Sequence, residues 1–302
     1  MAQPAIPRPG AHGDDAVAVA TALGISPHDL LDLAAPMNPV APDPRPTLAL
    51  HLDALRHYPD ERATRGILAE HLEVDGARLV LTNGGAEAIA LVAAEVGSGW
   101  FDVPEFSLYA RHLPTIDPSG PRWASNPHSP SGRLAASNEN AGVWDEAFFP
   151  LATGRWSRGD LGAVVVGSLT KLLACPGLRA GYVIARDPDE AARLERRRPA
   201  WSVNSLAVAA LPDLLATVDL PRWCMEIAAR RADLESTLAD HGYRTLPSDA
   251  PWVLVPDSPG LRERLARRHV LVRDCASFGL PDHHRLSVPD LAGLDRLRHA
   301  LA

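Results

Sequence analysis

The sequence predicts an α/β fold in which a smaller α+β unit closes the chain. Three observations carry that expectation. Short apolar runs rich in β-branched residues are each followed by a glycine turn or a helical pattern. Long helical stretches occupy residues 189–241, and the tail alternates short strands with helices. At 302 residues and 46% hydrophobic, the chain is long enough for one large core or two unequal domains.

Residues 1–46 are Pro-rich and irregular apart from one helical pattern, DDAVAVATALG, and residues 47–73 hold two helix-like runs around HYPD. RLVLTNGGAEAIALVAAEV reads as a strand over Leu79–Thr82, a glycine turn, and a helix from about Ala86. A strand, tight turn and helix start form the ligand corner of α/β proteins. The spacing is not GxGxxG, so a dinucleotide site is a poor fit. Residues 98–142 are weakly periodic, and WASNPHSPSGRLAASNENAG within them reads as loop. AGVWDEAFF reads as a buried strand ending in acids. The run at 163–166 is a stronger strand that leads into Ser168, Thr170 and Lys171, and LRAGYVIAR adds another. Residues 189–216 and 221–241 are largely helical. PWVLVPD, GLRERLARRH, VLVRDC, HHRLSVP and LAGLDRLRHAL then alternate strand and helix. The division expected is an N-terminal segment, 1–46, joining the small domain; a large domain, 47–214; and a small C-terminal domain, 215–302.

The formal charge of −7 gives no basic face for nucleic acid or membrane. No stretch approaches the roughly 18 apolar residues of a membrane span, and no basic region followed by an apolar run opens the chain. Cys175, Cys224 and Cys275 lie far apart without zinc spacing, so no metal site is expected. A soluble cytoplasmic protein is the expectation.

One count stands out. Lys and Arg total 30, yet Lys171 is the only lysine. A position that keeps Lys in so Arg-rich a chain points to work Arg cannot do: a desolvated Lys sheds its proton and attacks a carbonyl, whereas Arg stays protonated. Chance in a biased composition is the alternative. Lys171 follows its apolar run almost directly, at the mouth of a strand, where ligands of open α/β sheets gather. Arg179, Ser168 and the amides of Gly84, Gly85 and Ala86 would make a phosphate pocket within its reach. Arg179 would serve equally as a surface ion-pair partner. Asp145 would keep a pyridine nitrogen protonated, or cap a strand end. Phe106 would stack on a ring or fill the core. Arg285 would grip a carboxylate bidentately or carry a surface charge. His12, His128 and His283 are candidates without an assignable role.

Taken in order, Gly84-Gly85-Ala86-Glu87, PEFSLY, NPHSPSG, DEAFF, SLTKLLACPGLRAG and a late RLSV resemble the fold-type I, pyridoxal-phosphate-dependent aminotransferases over roughly residues 30–290. The resemblance implies the aspartate aminotransferase-like fold, a mostly parallel sheet sandwiched by helices plus a smaller α+β C-terminal domain. It implies Lys171 as the residue that captures pyridoxal phosphate and Asp145 as the partner of its ring nitrogen. Ser168 and Arg179, with Thr170 beside them, match the phosphate ligands, and Phe106 matches the ring-stacking aromatic. Tyr58, in HYP, matches a tyrosine that reaches the neighbouring subunit's cofactor, which implies a homodimer with shared sites. Arg285 matches the carboxylate-binding arginine. HGD, LAAPMNP, SLTK with PGLR, and WSVN resemble the branch of L-threonine-O-3-phosphate decarboxylase and histidinol-phosphate aminotransferase. There Asn38 and His12 would lie near the substrate, a small phosphorylated or plain amino acid.

Three departures accompany the resemblance. Ser129 stands where the family has an Asn that binds the cofactor's phenolic oxygen, and Phe148 where it has a Tyr serving the same oxygen. Only 16 residues separate Tyr109 from Asn126, where the family has a longer βα excursion. The expectation is decarboxylation of L-threonine O-3-phosphate to aminopropanol phosphate, as in cobalamin biosynthesis. An aminotransferase of the histidinol-phosphate type and a degenerate relative with weak or no activity are the alternatives.

Overall fold

The computed structural model describes residues 5–10, 13–159 and 162–302. Its strands are β1 (Leu31–Asp32), β2 (Leu79–Thr82), β3 (Ser98–Gly99), β4 (Thr115–Ile116), β5 (Trp123–Ser125), β6 (Val143–Asp145), β7 (Val164–Ser168), β8 (Gly181–Ile184), β9 (Trp252–Val255), β10 (Val270–Leu271), β11 (Arg273–Asp274) and β12 (His284–Ser287). The α-helices are α1 (Ala16–Leu23), α2 (Arg45–Leu50), α3 (Arg62–Leu72), α4 (Gly84–Val96), α5 (Ser107–His112), α6 (Phe149–Thr153), α7 (Leu169–Leu172), α8 (Pro188–Arg197), α9 (Ser205–Leu215), α10 (Leu220–Asp240), α11 (Leu261–Ala266) and α12 (Leu291–Leu301). Among the described residues no helix is long and apolar enough to cross a membrane.

The central sheet has the order β2-β8-β7-β6-β5. β5, β6 and β7 are parallel, and β8 runs antiparallel to both β7 and β2. Its strands read as continuous apolar runs because both faces are covered. Val80, Val143, Val164, Val166 and Val183 point to one face, against Ala88, Ile89 and Val92 of α4 and Leu194 of α8. Leu81, Trp144, Val165, Tyr182 and Ile184 point to the other, against Leu68 of α3, Leu211 of α9 and Trp223 of α10. A one-residue slip would exchange the two sets, so the side chains themselves fix the register.

The loop expected over 123–142 is corrected at its start: Trp123–Ser125 forms β5, paired with β6 from Trp123↔Val143 to Ser125↔Asp145. Three residues are too few to display a period, and this strand is defined by its partners. Beyond it the sheet nearly stops. β3 and β4 pair with each other over two residues each, and a single parallel bridge, Trp100↔Arg122, joins them to the β5 edge.

The tail folds as expected from its alternating pattern. β11-β12-β9 is an antiparallel sheet whose Val253, Val255 and Leu286 pack on Leu234, Leu238, Leu265 and Leu297. The 21-residue α10 ties the two cores together. Trp223 and Ile227 near its start belong to the central-sheet core, and Leu234 and Leu238 near its end belong to the tail core. The N-terminal segment joins the tail: β1 pairs in parallel with β10, and Leu33 enters the tail core.

Candidate active site

The parallel strands β6 and β7 end side by side at Asp145 and Ser168, and their carboxyl ends open onto a cavity of about 730 Å³. Lys171 lies on the one-turn helix α7 that leaves β7. That turn is pinned from behind. Leu169 donates its N–H to Ala180 (3.0 Å), and the Asn38 side chain donates to the Leu172 carbonyl (2.9 Å) while its backbone N–H reaches Lys171 O (3.1 Å). Asn38 is buried and its side-chain oxygen is taken by Val40 N, so the structure sets it behind the lysine rather than on the cavity wall.

Burial pushes the Lys171 amine down to about 8, with Arg285 and Arg179 adding repulsion and Asp32 and Asp145 opposing it. Near neutral pH a usable fraction of the amine is therefore unprotonated.

One end of the cavity is built for an anion. Gly85 and Ala86 line it at the start of α4, and the Ser168 and Thr170 hydroxyls lie 2.8 Å apart beside them. Arg179 donates only to the carbonyls of Pro176 (3.2 Å) and Asn83 (3.4 Å). No carboxylate among the described residues pairs with it. A guanidinium at the positive end of a helix is unfavourable unless an anion joins them. Gly84 has φ +77°, and a Cβ there would collide with the Arg179 guanidinium. A Cβ on Gly181 would strike the Gly84 carbonyl carbon, so glycine at both positions lets strand, helix start and arginine converge.

Across the cavity Asp145 is buried and accepts Tyr109 Oη (3.0 Å) and Ala147 N (3.1 Å). Burial raises its carboxyl above the usual range, partly offset by these donors and by Lys171. Phe106 lines the wall, as do Ser129 and Phe148, the two departures. The Phe148 ring lies 6.0 Å from Lys171 Nζ and packs edge-on to Trp252 at 4.9 Å.

The far end carries two guanidiniums. Arg285 on β12 sits directly opposite Arg273 on β11, and both line the cavity. Like charges at facing positions destabilise a sheet, and Arg273 is held in place by Gly10 O (2.8 Å) and Ser277 Oγ (2.7 Å). Arg285 Nε is buried with no hydrogen-bond partner, and the group lies 5.2 Å from the Trp252 ring. Burial pushes it down to about 10, with Arg273 acting in the same direction. Asp32, partly buried, closes this end and accepts Ala34 N at 2.8 Å.

Of the residues singled out from sequence, Gly85, Ala86, Phe106, Ser129, Asp145, Ser168, Thr170, Lys171, Arg179 and Arg285 line one cavity. Gly84 lies against Arg179 just behind the wall. Tyr58 does not line it: the ring is 77% exposed and rests on Trp201 at 4.6 Å. His12 lies outside the described residues. His128 braces its own loop through Ser131 Oγ and Pro104 O, and His283 contacts Pro281 O. Sequence reading missed Arg273, Asp32 and Trp252. For Arg273 the signal was present, an arginine inside the apolar run VLVRDC.

The donor set fits the cofactor that the resemblance implies. Pyridoxal phosphate presents a phosphate dianion, a flat ring with a basic nitrogen, and an aldehyde. The cavity offers an unpaired arginine with hydroxyls at a helix start, an aromatic beside a buried carboxylate, and a depressed lysine. The unpartnered Arg285 Nε remains for a further anionic group.

Comparison with known proteins agrees. The family model of class I and II aminotransferases matches residues 123–301. The chain is 29% identical to threonine-phosphate decarboxylase of Salmonella typhimurium, with 96% of this chain and 95% of that protein aligned. It is 30% identical to histidinol-phosphate aminotransferase 1 of Thiobacillus denitrificans, covering 94% and 88%. The histidinol-phosphate aminotransferase structure from Sinorhizobium meliloti, in complex with pyridoxal-5'-phosphate, superposes with a TM-score of 0.80 at 18% identity over 98% of this chain and 94% of that one. The Salmonella alignment runs over 351 positions, more than the 302 residues present here, so that relative carries segments this chain lacks. With a matched segment that takes in β5 to β8, Asp145, Lys171 and the arginine-bearing tail sheet, the chain belongs to the class I and II aminotransferase family.

Proposed function

We propose that the chain is a pyridoxal-phosphate-dependent enzyme acting on a small phosphorylated amino acid, with decarboxylation of L-threonine O-3-phosphate as the leading reaction. One observation carries the reading. The sole lysine, its amine pushed down to about 8, shares a cavity with a buried carboxylate and with Arg179 and Arg285, which have no acid partner among the described residues. When bound, pyridoxal phosphate supplies an aldehyde for an amine and a cationic ring that accepts the electron pair released at Cα. Arg179, Ser168, Thr170 and the amides of Gly84 to Ala86 would hold its phosphate, Phe106 its ring face and Asp145 its ring nitrogen. The unprotonated Lys171 amine would hold the cofactor through its aldehyde and is placed to hold or return a proton at the substrate Cα. Arg285 and Arg273 supply two guanidiniums at the substrate end, suited to a carboxylate and a phosphate on one molecule. Ser129 and Phe148 leave the phenolic oxygen with weaker protein donors than the family pattern gives it.

The similarity to histidinol-phosphate aminotransferases favours a second reading, amino-group transfer, for which the same residues suffice. Orientation of the Cα bonds decides between the two, and carbon dioxide release against 2-oxo acid formation separates them. The exposed Tyr58–Trp201 pair supports a homodimer in which Tyr58 serves the second subunit's site. The pairing of β1 with β10 supports the division expected from sequence, with residues 1–46 joining the C-terminal domain.

The first test is direct. Protein mixed with pyridoxal phosphate is reduced with borohydride, digested and read by mass spectrometry beside Lys171→Ala. A pyridoxyl adduct on Lys171, absent from the variant, is expected. No adduct at saturating cofactor would sink the reading and leave the degenerate relative in its place.

A further inference from the structure

Trp252 is the buried first residue of β9, and its indole meets both ends of the Lys171 cavity. The register of the tail sheet puts it there. Trp252 faces Ser287 and Leu254 faces Arg285 across β9 and β12, so Trp252 and Arg285 are diagonal neighbours on one face of the sheet. The Arg285 guanidinium lies 5.2 Å from the Trp252 ring and 6.0 Å from the Phe278 ring. Its hydrogen bonding among the described residues is slight: Nη2 reaches the Ala34 carbonyl at 3.5 Å, and the buried Nε has no partner.

The indole nitrogen serves the opposite end. Trp252 Nε1–H donates to the Pro130 carbonyl at 2.9 Å, and Pro130 follows Ser129, which lines the cavity. The loop beyond Pro130 settles on the residues just before Trp252. Asp249 N donates to Gly132 O (2.8 Å), and Leu134 N donates to the Asp249 carboxylate (3.0 Å). Gly132 has φ +79°, and a Cβ there would collide with Ser248 Oγ, which itself donates to Trp252 O (2.7 Å). The other root of the loop is Ser125, whose hydroxyl accepts the Ser129 N–H (2.8 Å) and donates to the buried Glu105 (2.7 Å).

A guanidinium carries its five N–H donors in its own plane and is weakly hydrated. An aromatic ring attracts the cation without taking any donor. A carboxylate partner would also fix Arg285, but it would occupy the fork and cancel the charge. The aromatic hold therefore leaves donors free for an anion that enters the cavity. We propose that Trp252 is a positioning residue with two holds: its ring keeps Arg285 ready for an anionic group of the substrate, and its Nε1–H keeps the loop that sets Ser129 at the cofactor end. One side chain thereby fixes the spacing between the two ends. The substrate meaning rests on the function proposed above, but both holds are properties of the unloaded chain.

The test is a sulfate titration of the full-length, cofactor-free protein, isotope-labelled at arginine and read at each Nε–H by nuclear magnetic resonance. The Arg285 and Arg179 signals are assigned by their absence from Arg285→Lys and Arg179→Lys. Trp252→Leu removes the ring and the indole N–H, whereas Trp252→Phe keeps an aromatic face and lacks only the N–H donor. Sulfate affinity at Arg285 should fall about 3- to 30-fold in Trp252→Leu and recover to within about threefold of wild type in Trp252→Phe, while Arg179 titrates as before in both. Hydrogen exchange over residues 131–134, read by mass spectrometry, should quicken about 2- to 10-fold in both variants, because neither holds Pro130 O. An Arg285 affinity that Trp252→Leu leaves unchanged, or that Trp252→Phe does not recover, overturns the hold on Arg285. Unchanged exchange in Trp252→Phe overturns the hold on the loop. If Trp252→Leu does not fold, the Arg285 Nε–H resonance is compared between wild type and Trp252→Phe: the larger ring current of the indole should displace it, and an unmoved resonance overturns the contact. A chain that forms no adduct on Lys171 still gives these results, so this proposal and the functional one fail separately.

Discussion

Strands β6, β7 and β8 run through the middle of the sheet buried on every residue, whereas β3 and β4 hold its edge with two residues apiece and leave Thr115 and Ile116 in solvent. The side chains proposed for catalysis and phosphate binding hang on the middle. Asp145 ends β6, Ser168 ends β7, Lys171 follows one turn later, and Arg179 precedes β8. The edge contributes through the segment linking β3 to β4, which brings Glu105, Phe106 and Tyr109 inward. A change at the edge therefore reaches the central residues only through that linking segment. The core on either face of the sheet is made by the long helices and by the valines and leucines of the middle strands.

The largest effect that would break this comparison comes from the middle. Lys171→Arg keeps the charge and most of the volume but cannot present an unprotonated amine. Turnover should fall by about 10²–10⁴-fold, the usual worth of a positioned proton carrier, and the borohydride adduct should vanish with it. Retained adduct or turnover would mean that the cavity's chemistry is not centred on β7.

Stability supplies the next contrast. Trp144 on β6 is 2% exposed and Ile116 on β4 is 54% exposed. Trp144→Ala removes a large buried ring and should cost about 3–5 kcal/mol. Ile116→Ala should stay within about 0.5 kcal/mol. Denaturant midpoints of the two variants check both numbers. A large loss at Ile116 would show that the short edge supports the sheet after all.

The contrast also explains what the sequence made legible. The middle strands were readable because β-branched runs such as AVVV and YVI are buried on both faces and need no alternation. Lys171 was readable through composition, as the one lysine among 29 arginines. β5 was not, because Trp123–Ser125 has no period of its own and exists through its pairing with β6. Arg273 was passed over because a single arginine in a strand is ordinary until its neighbour across the sheet proves to be Arg285. Glu105 was invisible for a related reason. Nothing in PEF announces that its carboxylate turns inward onto Ser125, which is distant in sequence and adjacent in the fold. Asn38 shows the converse: its motif was legible, but the side chain supports the backbone of α7 rather than the cavity.

The smallest effect concerns the electrostatics that join the two ends of the cavity at Lys171. Burial is the first cause of its depressed pKa, and repulsion from Arg285 and Arg179 comes next. Pyridoxal without its phosphate is a suitable probe, since it reports the amine without filling an anion site. Its capture by Lys171 needs the unprotonated amine, so adduct yield should rise with pH through about 8, well below the ordinary lysine range. Sulfate drawn to Arg179 and Arg285 cancels their repulsion and leaves burial in force. The folded-state pKa then rises, and the yield curve should move to higher pH by about half a unit. At a fixed pH below the midpoint, sulfate therefore lowers the yield. A curve centred in the ordinary lysine range would mean that the amine is solvated. A curve near 8 that ignores sulfate would mean that burial alone sets it, and that the two arginines act on the ligand without tuning the lysine.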